Sequence, residues 1–270
     1  MTSTIVSVDW LYNNLDLPNL IILDASLKEN QAKALSNFEN LRIPKARFFD
    51  LKTAFSDINN PLPNSLPSPS QFEQEATKLG ISKNSILVVY DNLGIYSSPR
   101  VWWLFKVMGF NNVAVLDGGL PQWIKHNYTV EVIPENEIYN LGNFKVDFQQ
   151  EQVKTKHQVE RNIIDQKYLV VDARIENRFN GTVKETRVGL QSGHIPKAIN
   201  IPYTSVLNNY TFLQPEKLKA ILKPNSKPII AYCGSGVTAC IIVLAYALIE
   251  SDNCSVYDGS WTEWGLKKNI

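Results

Sequence analysis

Short apolar runs recur along the chain: Leu20-Ile21-Ile22-Leu23, Ile86-Leu87-Val88-Val89-Tyr90, Val113-Ala114-Val115-Leu116 and Pro228-Ile229-Ile230-Ala231-Tyr232. Each has the length of a short buried strand. Between and after them lie stretches with helical character, notably Arg100 to Met108 and Val237 to Ile249, the latter without Gly or Pro. Such alternation predicts an α/β fold with mostly parallel sheets flanked by helices. The polar stretch from His126 to about Arg161, broken by Pro134 and Gly142, reads as a surface connector. Asn59 to Pro69 holds Pro61, Pro63, Pro67 and Pro69 and reads as an extended loop covering part of the first half.

The pattern repeats. Ile43-Pro44-Lys45-Ala46 returns as Ile195-Pro196-Lys197-Ala198, and each follows a strand ending in acid-Ala, Asp24-Ala25 and Asp172-Ala173. Further on, Ile86 to Asp91 parallels Pro228 to Cys233, and Leu116-Asp117-Gly118-Gly119 with Trp123 parallels Tyr257-Asp258-Gly259-Ser260 with Trp264. Four ordered anchors at nearly constant offset imply two copies of one fold. The expected division is an N-terminal domain over 1–127, a connector over 128–160 and a C-terminal domain over 161–270.

The candidate chemistry sits at the end of the last apolar run, in Cys233-Gly234-Ser235-Gly236-Val237-Thr238. Here a cysteine lies on a strand-to-helix turn, and in open sheets of this type ligands gather outside the carboxyl ends of the strands. Two glycines let such a turn close tightly, with its N–H groups pointing inward at the positive end of the helix dipole. A thiolate is the anion that benefits, and the thiolate is the nucleophile. From position alone, a buried and inert cysteine remains the alternative.

Composition narrows the partners. The chain has 270 residues, 44% hydrophobic and 20% charged, with a net charge of +1 and no basic stripe, so neither a nucleic acid nor a membrane surface is expected as a partner. The N-terminal residues lack the pattern of a secretory signal or an Arg-rich transit peptide, and Val237 to Ile249 is shorter than the roughly 18 residues of a spanning helix. Cys233, Cys240 and Cys254 are too few for a disulfide framework, and the three histidines show no metal-ligand spacing. A reducing, cytoplasmic setting is the expectation.

Taken together, the tandem copies, Gly193-His194-Ile195-Pro196-Lys197-Ala198, Pro99-Arg100-Val101-Trp102-Trp103, Leu116-Asp117-Gly118-Gly119 and the Cys233 loop resemble the two-domain rhodanese superfamily. The resemblance covers nearly the whole chain. Within that superfamily, thiosulfate:cyanide sulfurtransferases typically carry Cys-Arg-Lys-Gly-Val-Thr, and mercaptopyruvate sulfurtransferases carry the Cys-Gly-Ser-Gly-Val-Thr found here. A loop without basic side chains offers only N–H groups and a hydroxyl to the sulfur end of a keto acid. The resemblance implies Cys233 as the catalytic residue, Gly234, Ser235, Gly236, Val237 and Thr238 as substrate-binding residues, and Arg178 and Arg187 as holders of the substrate carboxylate. A guanidinium pairs with a carboxylate through two parallel hydrogen bonds. Asn177 and Thr186 differ from the family's usual neighbours of these arginines.

The implied reaction moves sulfur from 3-mercaptopyruvate to a thiol, cyanide or dithiol-protein acceptor through a persulfide on Cys233, with no metal or organic cofactor. The family's proposed Asp-His-Ser triad is interrupted, since Lys52 and Asn64 align with its Asp and His; Ser235 is then expected only to donate a hydrogen bond. His194 is expected to be a scaffold residue. Asp91 replaces the cysteine in the first copy, which should make that half inactive. The alternatives are a thiosulfate:cyanide sulfurtransferase and a non-enzymatic binding module. A cysteine phosphatase would need Arg six positions after the cysteine, where Ala239 stands.

Overall fold

The computed structural model describes residues 3–29, 36–38, 40–134, 137–185, 187–223, 226–251 and 253–266. Thr186 therefore lies outside the described residues. The chain forms two compact units: Met1–Asp57 with Leu66–Gln149 and Asn209–Phe212, and Ile58–Ser65 with Gln150–Asn208 and Leu213–Ile270. Thus Ile58–Ser65, most of the loop assigned from its prolines to the first half, belongs to the second unit.

Each unit holds a five-stranded parallel sheet. In the first the spatial order is Ile5–Val6, Val113–Leu116, Ile86–Tyr90, Leu20–Asp24 and Arg47–Phe48. In the second, Val153–Lys154, Cys254–Tyr257, Ile229–Tyr232, Leu169–Asp172 and Ile199–Asn200 follow the same order. The central strands are buried almost throughout, which is why they read as unbroken apolar runs.

Matching hydrogen bonds explain the sequence repeat. The amide of Ile43 donates to the Tyr90 hydroxyl at 3.2 Å, and that of Ile195 to the Tyr232 hydroxyl at 3.1 Å. Ala25 N donates to Tyr90 O and Ala173 N to Tyr232 O, both at 2.8 Å. In each Ile-Pro-Lys-Ala segment the lysine is left-handed, with φ of 64° at Lys45 and 66° at Lys197, and the alanine amide closes a turn onto the isoleucine carbonyl. The tyrosine at each strand end is held by the turn that the four-residue repeat encodes.

Two spans differ from their sequence reading. The region read as connector contains the strand Val153–Lys154 and the start of the helix Lys156–Asp165, which opens with a capping box between Thr155 and Gln158. Apolar positions there are sparse because only Val159 and Asn162 of that helix are buried, so composition alone hid it. The last long helix runs Ala239–Ala247, shorter at both ends than its apolar run, because Val237 and Thr238 complete the turn. Ala239 through Tyr246 are all buried, as suits a helix apolar on every side. Among the described residues no helix is long and apolar enough to cross a membrane.

Candidate active site

Cys233 follows the buried strand Ile229–Tyr232 directly and is 2% exposed. Its backbone is pinned from the far side of the turn. Cys233 N donates to Ser260 Oγ at 3.3 Å, Trp261 N donates to Cys233 O at 3.0 Å, and Thr262 N donates to Gly234 O at 3.0 Å. Gly236 has φ of 81°, the left-handed conformation that the turn requires. Gly234 faces both arginines: a Cβ there would stand 3.6 Å from both terminal nitrogens of Arg178 and 3.9 Å from Arg187 Nη1, ordinary contact distances that leave room for a side chain. Among the described residues, the amides of Gly234, Ser235, Val237 and Thr238 donate to no protein acceptor. They lead into the N-terminus of Ala239–Ala247, so the turn presents unspent donors at the positive end of a helix dipole.

The first unit shows what such a turn does with an anion. Asp91 Oδ2 accepts from the amides of Tyr96, Ser97 and Ser98, each at 2.9 Å, and from Ser98 Oγ at 2.7 Å; its Oδ1 accepts from Leu93 N at 3.0 Å. The carboxylate fills its own cradle. Leu120 N donates to Asp91 O as Trp261 N does to Cys233 O, so the two turns share their anchoring. The sequence identified Asp91 as the counterpart of Cys233, but not that its side chain seals the turn.

Both candidate arginines reach the Cys233 loop. Arg187 Nη2 donates to Ser235 Oγ at 3.3 Å, and Arg178 lies against Gly234. Arg178, however, already uses part of its fork: Nη2 donates to Glu185 Oε2 at 2.6 Å and Nε to Glu185 Oε1 at 3.3 Å. Glu185 also accepts from Arg174 Nη1 at 2.9 Å, and Arg174 pairs with Asp172 and stacks 4.3 Å over the Trp261 ring. This buried chain of charges fixes where Arg178 points. The Nε/Nη2 edge of Arg178 is turned to Glu185, while Nη1 and Nη2 both stand beside Gly234.

Other residues fall as follows. Asn64 Nδ2 lies 2.8 Å from Ser235 Oγ and 3.2 Å from Ser235 O, and both side chains are buried. His194 donates through Nδ1 to Phe179 O at 2.9 Å and stacks on the Phe179 ring. Tyr203 was not singled out from sequence. Its phenol is pushed up first by burial and then by the charge of Cys233, which places it in the electrostatic neighbourhood of the thiol. Nor did sequence single out Glu185 or Ser260. Ser260 adopts φ of 51° where the first copy has Gly119 at 50°, so the repeat itself marks Ser260 as a serine in a glycine's conformation.

The fold and this turn define a class of protein. A model of the rhodanese-like domain matches residues 7–126 and 155–267, and the chain belongs to that family. Among relatives, a thiosulfate/3-mercaptopyruvate sulfurtransferase of Arabidopsis thaliana is 38% identical over 292 residues, covering 98% of this chain and 77% of that protein. The 3-mercaptopyruvate sulfurtransferase of Escherichia coli K12 is 35% identical over 280 residues, covering 100% and 97%. The crystal structure of SseA from Escherichia coli superposes with a TM-score of 0.84 at 34% identity, covering 96% of this chain and 99% of that one.

Proposed function

We propose that the protein is a sulfurtransferase that takes the sulfur of 3-mercaptopyruvate onto Cys233 and passes it to a thiol, cyanide or a dithiol protein. The observation that carries this reading is the unfilled turn. Where the first copy satisfies its donors with the Asp91 carboxylate, the second holds a cysteine, with two guanidinium groups beside Gly234. A thiolate at Cys233 is favoured by the turn amides and helix terminus. It attacks the substrate sulfur, an S–S bond forms, and the C–S bond breaks with its electron pair leaving as the enolate of pyruvate. The substrate's thiol proton stays on the persulfide, and the enolate takes a proton from water. An acceptor nucleophile then attacks the outer sulfur and returns Cys233 as thiolate, so one difficult transfer becomes two easier ones.

Arg187 anchors the substrate carboxylate, and Arg178 supplies a fixed positive charge through Nη1. Gly234, Ser235, Gly236, Val237 and Thr238 form the wall around the reacting sulfur. Thiosulfate is a second donor to be weighed, because the Arabidopsis relative carries both donors in its name. The free cysteines fit a reducing compartment such as the cytoplasm. The domain containing residues 161–270 carries the chemistry, and the one over 1–127 is inactive because a carboxylate cannot accept a sulfane sulfur. Intact mass spectrometry after incubation with 3-mercaptopyruvate, and separately with thiosulfate, tests the reading: gain of one sulfur, lost in Cys233→Ser, is expected with the first donor.

A further inference from the structure

We infer that Asn64 locks the Ser235 hydroxyl as a permanent hydrogen-bond donor aimed at the keto oxygen of a bound 2-keto acid, which makes Asn64 a positioning residue for sulfur transfer. This rests on the proposed function. The backbone oxygen of Ser235 can only accept, so the Asn64 atom 3.2 Å from it is the amide nitrogen. That nitrogen carries two hydrogens, and the second is available to Ser235 Oγ at 2.8 Å. Arg187 Nη2 donates to the same Oγ at 3.3 Å. A hydroxyl has two lone pairs and one hydrogen, so both acceptor positions of Ser235 are taken.

Its hydrogen has no acceptor among the described residues, and Ser235 is 4% exposed. A buried donor with nothing to donate to is costly unless a ligand supplies the acceptor. Arg187 shows which ligand atom fits. A 2-keto acid held by Arg187 through its carboxylate carries its keto oxygen on the adjacent carbon, next to the hydroxyl that Arg187 also touches. When the C–S bond breaks, that oxygen becomes the enolate oxygen, and a fixed O–H donor gains strength as the charge grows. With both lone pairs occupied, Ser235 cannot take up a proton, so it acts neither as base nor as relay.

Asn64 is suited to this task. It sits at φ of 59°, a left-handed conformation that asparagine tolerates better than most residues, and its amide does not titrate. The charged or titratable groups on the turn that Asn64 holds through Ser235 include Cys233, Tyr203 near the thiol, Arg187 on Ser235, and Arg178 with Glu185 beside Gly234.

The test compares Asn64→Asp, Ser235→Ala and the double variant, with kcat and KM for 3-mercaptopyruvate taken from pH 5 to 8.5 as ratios to the parent protein. At high pH the introduced carboxylate has no hydrogen to give and draws the Ser235 proton to itself. A fall in kcat on the order of tenfold to a hundredfold is expected, with KM changed less. The ratio should recover as pH is lowered, because a protonated acid can donate again. The double variant should lose no more than Ser235→Ala alone. Full kcat in Asn64→Asp at pH 8, a loss independent of pH, or losses that multiply in the double variant would each overturn the inference. Should Asn64→Asp fail to fold, Asn64→Gly removes the amide while easing the left-handed backbone; a pH-independent loss, again not additive with Ser235→Ala, is then expected, and undiminished kcat overturns the inference. Absence of any persulfide from mercaptopyruvate in the parent protein would instead refute the functional reading.

Discussion

Ser98 grips Asp91 twice, through its backbone amide at 2.9 Å and its hydroxyl at 2.7 Å, both on the same carboxylate oxygen. With the amides of Leu93, Tyr96 and Ser97 the fully buried carboxylate accepts five hydrogen bonds. In Asp91→Ala those donors lose their acceptor. The expected cost is about 1–3 kcal/mol of folding stability, the range for leaving buried donors without an acceptor. Turnover per folded molecule should change little if Cys233 alone carries sulfur, since a carboxylate cannot accept a sulfane sulfur. Urea denaturation and active-site-normalised kinetics measure the two effects separately; unchanged stability would show that the cradle is not structural.

Cys233→Ser should abolish sulfur transfer and leave the fold intact. The change removes a soft nucleophile and little volume, and the backbone bonds to Ser260 and Trp261 do not involve the side chain. The checks are single-turnover release of pyruvate and the thermal unfolding midpoint. Measurable transfer by this variant is the result that would sink the assignment.

Much of this was legible in the sequence, for identifiable reasons. Strands covered on both faces write themselves as apolar runs, and the turn that closes each tyrosine hydroxyl writes itself as Ile-Pro-Lys-Ala. The Cys233 turn was visible because its glycines and the helix after it lie close in sequence. What stayed hidden depends on contacts that no local pattern encodes. Ile58–Ser65 reads as a proline-rich loop, and nothing local reveals that Asn64 meets Ser235, which lies 171 residues further on. Glu185 looks like a surface acid, yet it is buried between Arg174 and Arg178. The helix Lys156–Asp165 escaped because its exposed face outweighs its buried one.

Asp117 offers a pH test of the first unit. Burial pushes its carboxyl up to about 6, against the opposing pull of the Phe212 amide, which donates to it at 3.0 Å. A folded value above the unfolded one of 3.8 means that the protonated form is favoured by folding. Its contribution is full below pH 3.8 and is lost as pH rises through about 6. At neutral pH the ionised group therefore costs stability. Asp117→Asn keeps an acceptor for Phe212 and removes the charge, so it should stabilise the protein by about 1–2 kcal/mol at pH 7.5, discounted for partial exposure. The gain should vanish near pH 4. Denaturation midpoints across that range decide it, and a gain of equal size at both ends would show that ionisation is not the cause.

The final prediction separates the two arginines. Arg187 meets Ser235 through one nitrogen, whereas Arg178 is turned to Glu185 through two. If Arg187 anchors the keto-acid carboxylate, Arg187→Lys keeps the charge but loses the planar fork. A fall in kcat/KM for 3-mercaptopyruvate on the order of tenfold to a hundredfold is expected, from charge-assisted hydrogen bonds worth roughly 1.5–3 kcal/mol each. Thiosulfate use should suffer less, because that donor has no carboxylate. Arg178→Lys should differ in kind. It breaks the pair with Glu185 and leaves a buried carboxylate with Arg174 alone, so lowered stability should accompany the kinetic loss. Glu185→Gln then becomes the informative partner: it frees the Arg178 fork, and its effect on mercaptopyruvate use should track the orientation of Arg178 rather than net charge. Kinetics with both donors and unfolding curves for all three variants provide the comparison. Equal losses for the two donors in Arg187→Lys, or none for either, would mean that the arginines are structural and that donor choice rests on the Cys233 turn.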